Sequence, residues 1–188
     1  MTQSSFLSPT PGQTIGPFYG YALPWPGDSE LVPVGHRDAI RFHGTVYDGA
    51  GQPIPDALIE IWQADQEGRV AQTGGSLHRD GWTFTGFGRA AVDAIGHYSF
   101  TTVLPGPTED GAAPFVAMTV FARGLTNRLF TRAYLPVDDD ALGADAFLRS
   151  VPEDRRATLV AAADEHGYRF DIRLQGEDET VFLQFPGA

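Results

Sequence analysis

The chain has 188 residues, 42% of them hydrophobic, and a mean hydropathy of -0.18, values that fit one soluble domain with a sizeable core. Its net charge is -11 with no basic run, which argues against non-specific nucleic-acid binding, and no apolar stretch is long enough for a transmembrane helix. There is no cysteine, so disulfides, thiolate metal sites and a cysteine nucleophile are excluded.

Residues Met1 to Pro11 are polar and uncharged, without the basic region and apolar stretch of a signal peptide, which predicts a cytoplasmic protein. Residues 1–38 read as an N-terminal arm and entry segment, of which Met1 to Pro33 is rich in Pro, Gly and aromatics, as in Thr10-Pro11-Gly12-Gln13-Thr14-Ile15-Gly16-Pro17-Phe18-Tyr19 and then Trp25. Such a segment does not read as regular helix. Its aromatics set it apart from a disordered tail, and it is expected to be an ordered, extended arm lying on a surface, a partner's among the candidates. From residue 39 to 188 the pattern is that of a single sandwich domain. Ile40 to Asp48 alternates and stops at Gly49 to Pro53. Ala57 to Ala64 is the next strand, followed by Phe87 to Asp93, His97 to Val103, Val116 to Ala122 and Arg128 to Leu135. Arg169 to Leu174 and Thr180 to Phe185, joined by Gln175 to Glu179, carry period-2 alternation and read as a hairpin. Asp139 to Leu148 and Pro152 to Ala163 read as helices. Many short strands between Gly/Pro turns predict an all-β, antiparallel β-sandwich with one or two short helices in its C-terminal third.

Motifs for self-contained catalysis are missing. No Gly-x-Ser-x-Gly elbow and no Gly-rich phosphate loop is present. The histidines His36, His43, His78, His97 and His166 show no ligand-pair spacing on one strand or helix, so each reads as a lone surface or turn residue; a composite of His78, His97 and a tyrosine has no support in the spacing. The acidic clusters at 28–30, 109–110, 138–140 and 177–179 read as solvated turns. All 13 basic residues are arginine, whose planar fork suits carboxylates and buried interfaces.

Four segments resemble the intradiol ring-cleavage dioxygenases: Gly44 to Asp48 with Glu60 to Asp65; Gly86 to Arg89 with Gly96 to Val103; Val120 to Leu125 with Leu129 to Tyr134; and Tyr168 to Gly176 with Glu179 to Phe182. Thr10 to Phe18, the Phe121-Ala122-Arg123-Gly124 phrase and the closing segment resemble in particular the iron-free α-type subunit of heteromeric members. The resemblance implies a ferric site of two tyrosines and two histidines, the histidines two apart on one strand face. Here the corresponding positions hold Ser76, Thr108, Phe115 and Ala117. Neither Phe nor Ala can ligate iron, and Ser and Thr are poor ligands for it, so this chain is expected to bind no metal and to carry no catalytic residue. The resemblance further implies Fe(III) in an iron-bearing β subunit as partner, with protocatechuate and O2 as substrates and 3-carboxy-cis,cis-muconate as product. Thr14, Ile15, Gly16 and Pro17 of the arm, together with Arg123, would contact the substrate, Arg123 facing its carboxylate. A free-standing binding or scaffold module, or an enzyme with an unrecognised metal site, are the alternatives.

Overall fold

A computed structural model of the chain describes residue 14, residue 16 and residues 18–72, 79–136 and 138–185. Two sheets face each other. One has the order β4 (His97–Thr102), β1 (Ile40–Tyr47), β8 (Gly167–Arg169), β7 (Ala162–Asp164), with β9 (Ile172–Arg173) also on β1. The other runs β3 (Phe87–Ala91), β2 (Leu58–Gln63), β5 (Phe115–Phe121), β6 (Leu129–Tyr134) and is antiparallel throughout. The alternation seen in the sequence becomes burial: Val116, Met118 and Val120 of β5 point inward, as do Tyr98 and Phe100 of β4 and Phe42 and Val46 of β1. They form one core between the two sheets, with each sheet's other face left for polar or functional groups.

Two irregular segments tie the sheets together. Residues 28–31 bridge one pair of sheet edges. Asp28 O accepts from Arg89 N of β3 at 2.9 Å, and Leu31 N donates to Thr101 O of β4 at 2.8 Å. The C-terminal segment bridges the other side. Thr180 N donates to Arg173 O at 3.0 Å and Leu183 N to Phe130 O of β6 at 2.8 Å.

This changes the expected closing hairpin. Ile172 and Arg173 pair in parallel with Val46 and Tyr47, and the following segment leaves for the other sheet. The helices are also shorter than expected. Residues 139–148 break into α2 (Asp139–Ala144) and α3 (Ala146–Ser150) at Asp145, whose extended backbone ends the first while its carboxylate caps the second. Residues 152–163 give only α4 (Glu153–Arg156) and a 3-10 turn at Ala157–Leu159 before the chain turns into β7. The pull comes from β6: Ala161 N donates to Tyr134 O at 2.9 Å, so pairing with the sheet overrides helix propensity. In the arm, Tyr19–Ala22 form one helical turn, α1, where no helix was expected. No helix among the described residues is long and apolar enough to cross a membrane.

Candidate functional site

Period-2 alternation puts Phe115, Ala117, Thr119 and Phe121 of β5 on the outer face of the four-stranded sheet. Ala117 lies opposite both Trp62 of β2 and Arg132 of β6. This outer face carries two places of chemical interest, one in its middle and one beyond the end of β5.

The middle contains three of the four positions where the family resemblance implies iron ligands. Phe115 and Ala117 line one cavity of about 560 Å³. Phe115 and Thr108 share a neighbouring one. Ser76 lies outside the described residues. The donor chemistry does not fit a ferric ion, because a phenyl ring and a methyl group stand where imidazoles would be needed. Among the described residues no group of three or more His, Asp or Glu could hold a metal. Instead the Arg132 guanidinium lies over the Phe115 ring at 4.3 Å and over Phe147 of α3 at 4.8 Å. A cation clasped between two aromatic faces now occupies this ground.

Tyr134 and Asp145 support it from below. Arg132 Nη1 lies 3.3 Å from the Tyr134 hydroxyl, which donates to Asp145 Oδ1 at 3.2 Å. Asp145 is only 4% exposed and is satisfied by Ala113 N at 3.0 Å and Leu148 N at 2.9 Å. Burial pushes the Tyr134 phenol up to about 12, with Asp145 adding to the rise and Arg132 opposing it. The phenol therefore stays protonated and keeps its donor role. Neither Arg132 nor Asp145 stood out in the sequence, since the contact that defines them joins β5, β6 and α3.

Beyond the end of β5 the structure brings Arg123 and the arm together. Arg123 Nε pairs with Asp56 Oδ2 at 3.0 Å, and its side chain is 63% exposed. Tyr19 is buried against Phe121, ring centroids 6.2 Å apart, and its hydroxyl donates to Asp56 O at 2.5 Å. Burial, reinforced by the Asp56 charge, pushes the Tyr19 phenol up to about 12 against the pull of Arg123. One residue, Asp56, thus anchors the arm through its carbonyl and orients Arg123 through its carboxylate. Thr14, which is exposed, and Gly16 lie just upstream of Tyr19. Gly16 has φ 73°, with open space where a Cβ would be. Its left-handed backbone, rather than a close approach within this chain, is what calls for glycine. Ile15 and Pro17 lie outside the described residues. Tyr19 and Asp56 were missed by the sequence reading; the only signal was the aromatic character of the arm.

The histidines do not stand alone as expected. His97 Nε2 and His43 Nδ1 are 3.3 Å apart, His43 Nε2 lies 3.2 Å from Asp164 Oδ2, and the His166 ring is 6.4 Å from that of His43. Pairing of β1 with β4 and β8 assembles them. This cluster sits on the other sheet, away from Arg123 and Arg132. His78 lies outside the described residues.

Comparison with known proteins agrees with this architecture. Residues 27–176 match the family model described as Dioxygenase. The chain is 38% identical over 194 residues to the protocatechuate 3,4-dioxygenase alpha chain of Burkholderia cepacia, covering 94% of this chain and 98% of that one. It is 32% identical over 190 residues to the beta chain from the same organism, covering 87% and 78%. Among solved structures, the dioxygenase domain of a dioxygenase carbohydrate-binding protein fusion from Streptomyces sp. SirexAA-E superposes with a TM-score of 0.59 at 24% identity, over 90% of this chain and 99% of that one. These matches establish that the chain belongs to the intradiol ring-cleavage dioxygenase family.

Proposed function

We propose that this chain is the α subunit of a protocatechuate 3,4-dioxygenase, a cytoplasmic heteromer in which residues 39–188 form the sandwich and residues 1–38 the arm that reaches the partner. The partner is an iron-bearing β subunit with the same fold, whose ferric ion supplies activation of the bound catecholate toward O2. The α chain contributes binding and orientation. Arg123 presents its guanidinium to the carboxylate of protocatechuate, as a planar fork suits a planar anion. Thr14, Ile15, Gly16 and Pro17 close the pocket beside it with a hydroxyl and backbone N–H groups. Both atoms of O2 enter the substrate between its two hydroxyl-bearing carbons, giving 3-carboxy-cis,cis-muconate.

The observation that carries this reading is the anchoring of the arm and Arg123 by the same residue, Asp56. The loss of nitrogen donors at Phe115 and Ala117, in a chain similar to both α and β chains, supports the division of labour. The test is iron content and ring-cleavage activity of this chain purified alone and co-purified with a candidate β subunit. One iron per αβ pair with activity only in the complex is expected. Stoichiometric iron or activity in the chain alone would overturn the reading.

A further inference from the structure

We propose that the outer face around Arg132 is a second ligand site, one that takes a small aromatic carboxylate. The guanidinium there is held in place but left short of a counter-charge. Phe115 and Phe147 fix its plane from the sides, and the Tyr134 hydroxyl meets only one of its nitrogens. Among the described residues no carboxylate forms an ion pair with it. The nearest acid in its network, Asp145, is committed to two backbone N–H groups and to Tyr134. A half-buried guanidinium with free donors favours an anion, and its fork geometry favours a carboxylate over a spherical ion.

The walls define the rest of the ligand. The cavity of about 560 Å³ beside Arg132 is lined by Trp62, Phe115, Phe130, Leu183 and Phe185. Phe130 and Phe185 meet edge to face at 5.3 Å and 86°, a packed aromatic pair that gives the cavity an apolar wall against which a flat ring can pack. Ala117 forms the floor, its small side chain leaving that space open. One cation at the end of an aromatic slot matches a ring bearing one carboxylate. The chemistry differs from that of a metal centre: the one carboxylate among the lining residues, Glu60, is already paired with Arg89 at 2.6 Å, and binding here needs no metal. The site is also separate from the Arg123 end of β5, so the two can be distinguished by mutation.

Titration of the full-length chain with benzoate, followed by isothermal calorimetry, tests the proposal. One benzoate per chain is expected, with neutral benzamide at least about tenfold weaker, as the loss of one charge-assisted contact requires. Arg132→Gln should abolish the preference for the anion. Ala117→Phe should block binding of both compounds while leaving Arg132 in place, which covers the case of Arg132→Gln failing to fold. Benzoate titration of the isolated chain should read the same for Arg123→Ala, whose effect belongs to the assembled enzyme. Equal affinity for benzoate and benzamide, binding that survives Ala117→Phe, binding lost only in Arg123→Ala, or no saturable binding at all would each overturn it.

Discussion

Arg123 and Arg132 flank the same pair of strands, but their surroundings give them different work. Arg123 is exposed and oriented by Asp56, so it can meet a ligand that arrives with a partner chain. Replacing it with Ala should raise KM for protocatechuate by about ten- to a hundredfold in the assembled enzyme, the worth of a charge-assisted hydrogen-bonded contact. Plain catechol, which lacks the carboxylate, should be almost unaffected. Steady-state kinetics on both substrates checks this, and equal effects would remove the carboxylate role. Phe115→His restores one donor of the four. It should leave the isolated chain free of stoichiometric iron by metal analysis, because one imidazole beside Ala117 and Thr108 makes no ferric site. What the sequence could and could not show at this scale follows from distance along the chain. That Phe115 and Ala117 share one face of a strand was legible from the period of two. Asp56, Arg132 and the His43–His97 contact were not, because each depends on a partner from another element, 54 residues away in the case of the histidines.

At the scale of elements, alternation located the six long strands to within a residue or two, while the C-terminal third was read less well. The expected hairpin and the helix through Ala163 failed for one reason. Tyr134, Phe130 and Tyr47 offer backbone hydrogen bonds to these segments, and local periodicity carries no record of a distant partner. Gly44 is a comparable case. It lies in β1 where the parallel pairing passes from β8 to β9, and a Cβ there would stand 1.9 Å from Phe170 O. The same carbonyl accepts from the buried Tyr98 hydroxyl. Gly44→Ala should therefore cost about 1–3 kcal/mol through overpacking and lower Tm by roughly 2–12 °C, as read by calorimetry. The arm makes the opposite prediction. Tyr19 docks it through one ring contact and one hydrogen bond, while Phe18 and Tyr21 are 79% and 86% exposed. Deleting residues 1–18 should leave the Tm of the chain nearly unchanged yet sharply reduce the activity of the complex. Matching losses of both would make the arm a structural part of the sandwich.

For the molecule as a whole, two groups of ionisable residues set how the fold answers acid. His97 is half-buried, and its pKa is lowered first by that burial, then by the positive charges of Arg41 and His43, with Asp93 and Asp171 opposing. Its neutral form is favoured in the fold. As pH falls below the ordinary histidine value of about 6.5 the unfolded chain binds a proton that the folded chain resists, so stability declines until the folded pKa is passed. Asp80, held down to about 2 by the N–H groups and hydroxyl of its own turn, behaves as a depressed carboxylate. So does Asp164, lowered by the N–H of His166 and by His43 against the effect of desolvation. Their contribution is present above the ordinary carboxylate range and is lost as pH falls through it. Tm should then fall in two stages on acidification, the first beginning near pH 6.5 and the second below about pH 4. His97→Gln keeps a polar, uncharged side chain on β4 and should flatten the first stage while leaving the second. The measurement is Tm by calorimetry from pH 8 to pH 3 for both proteins. A first stage that persists unchanged in the variant would assign it to a group other than His97.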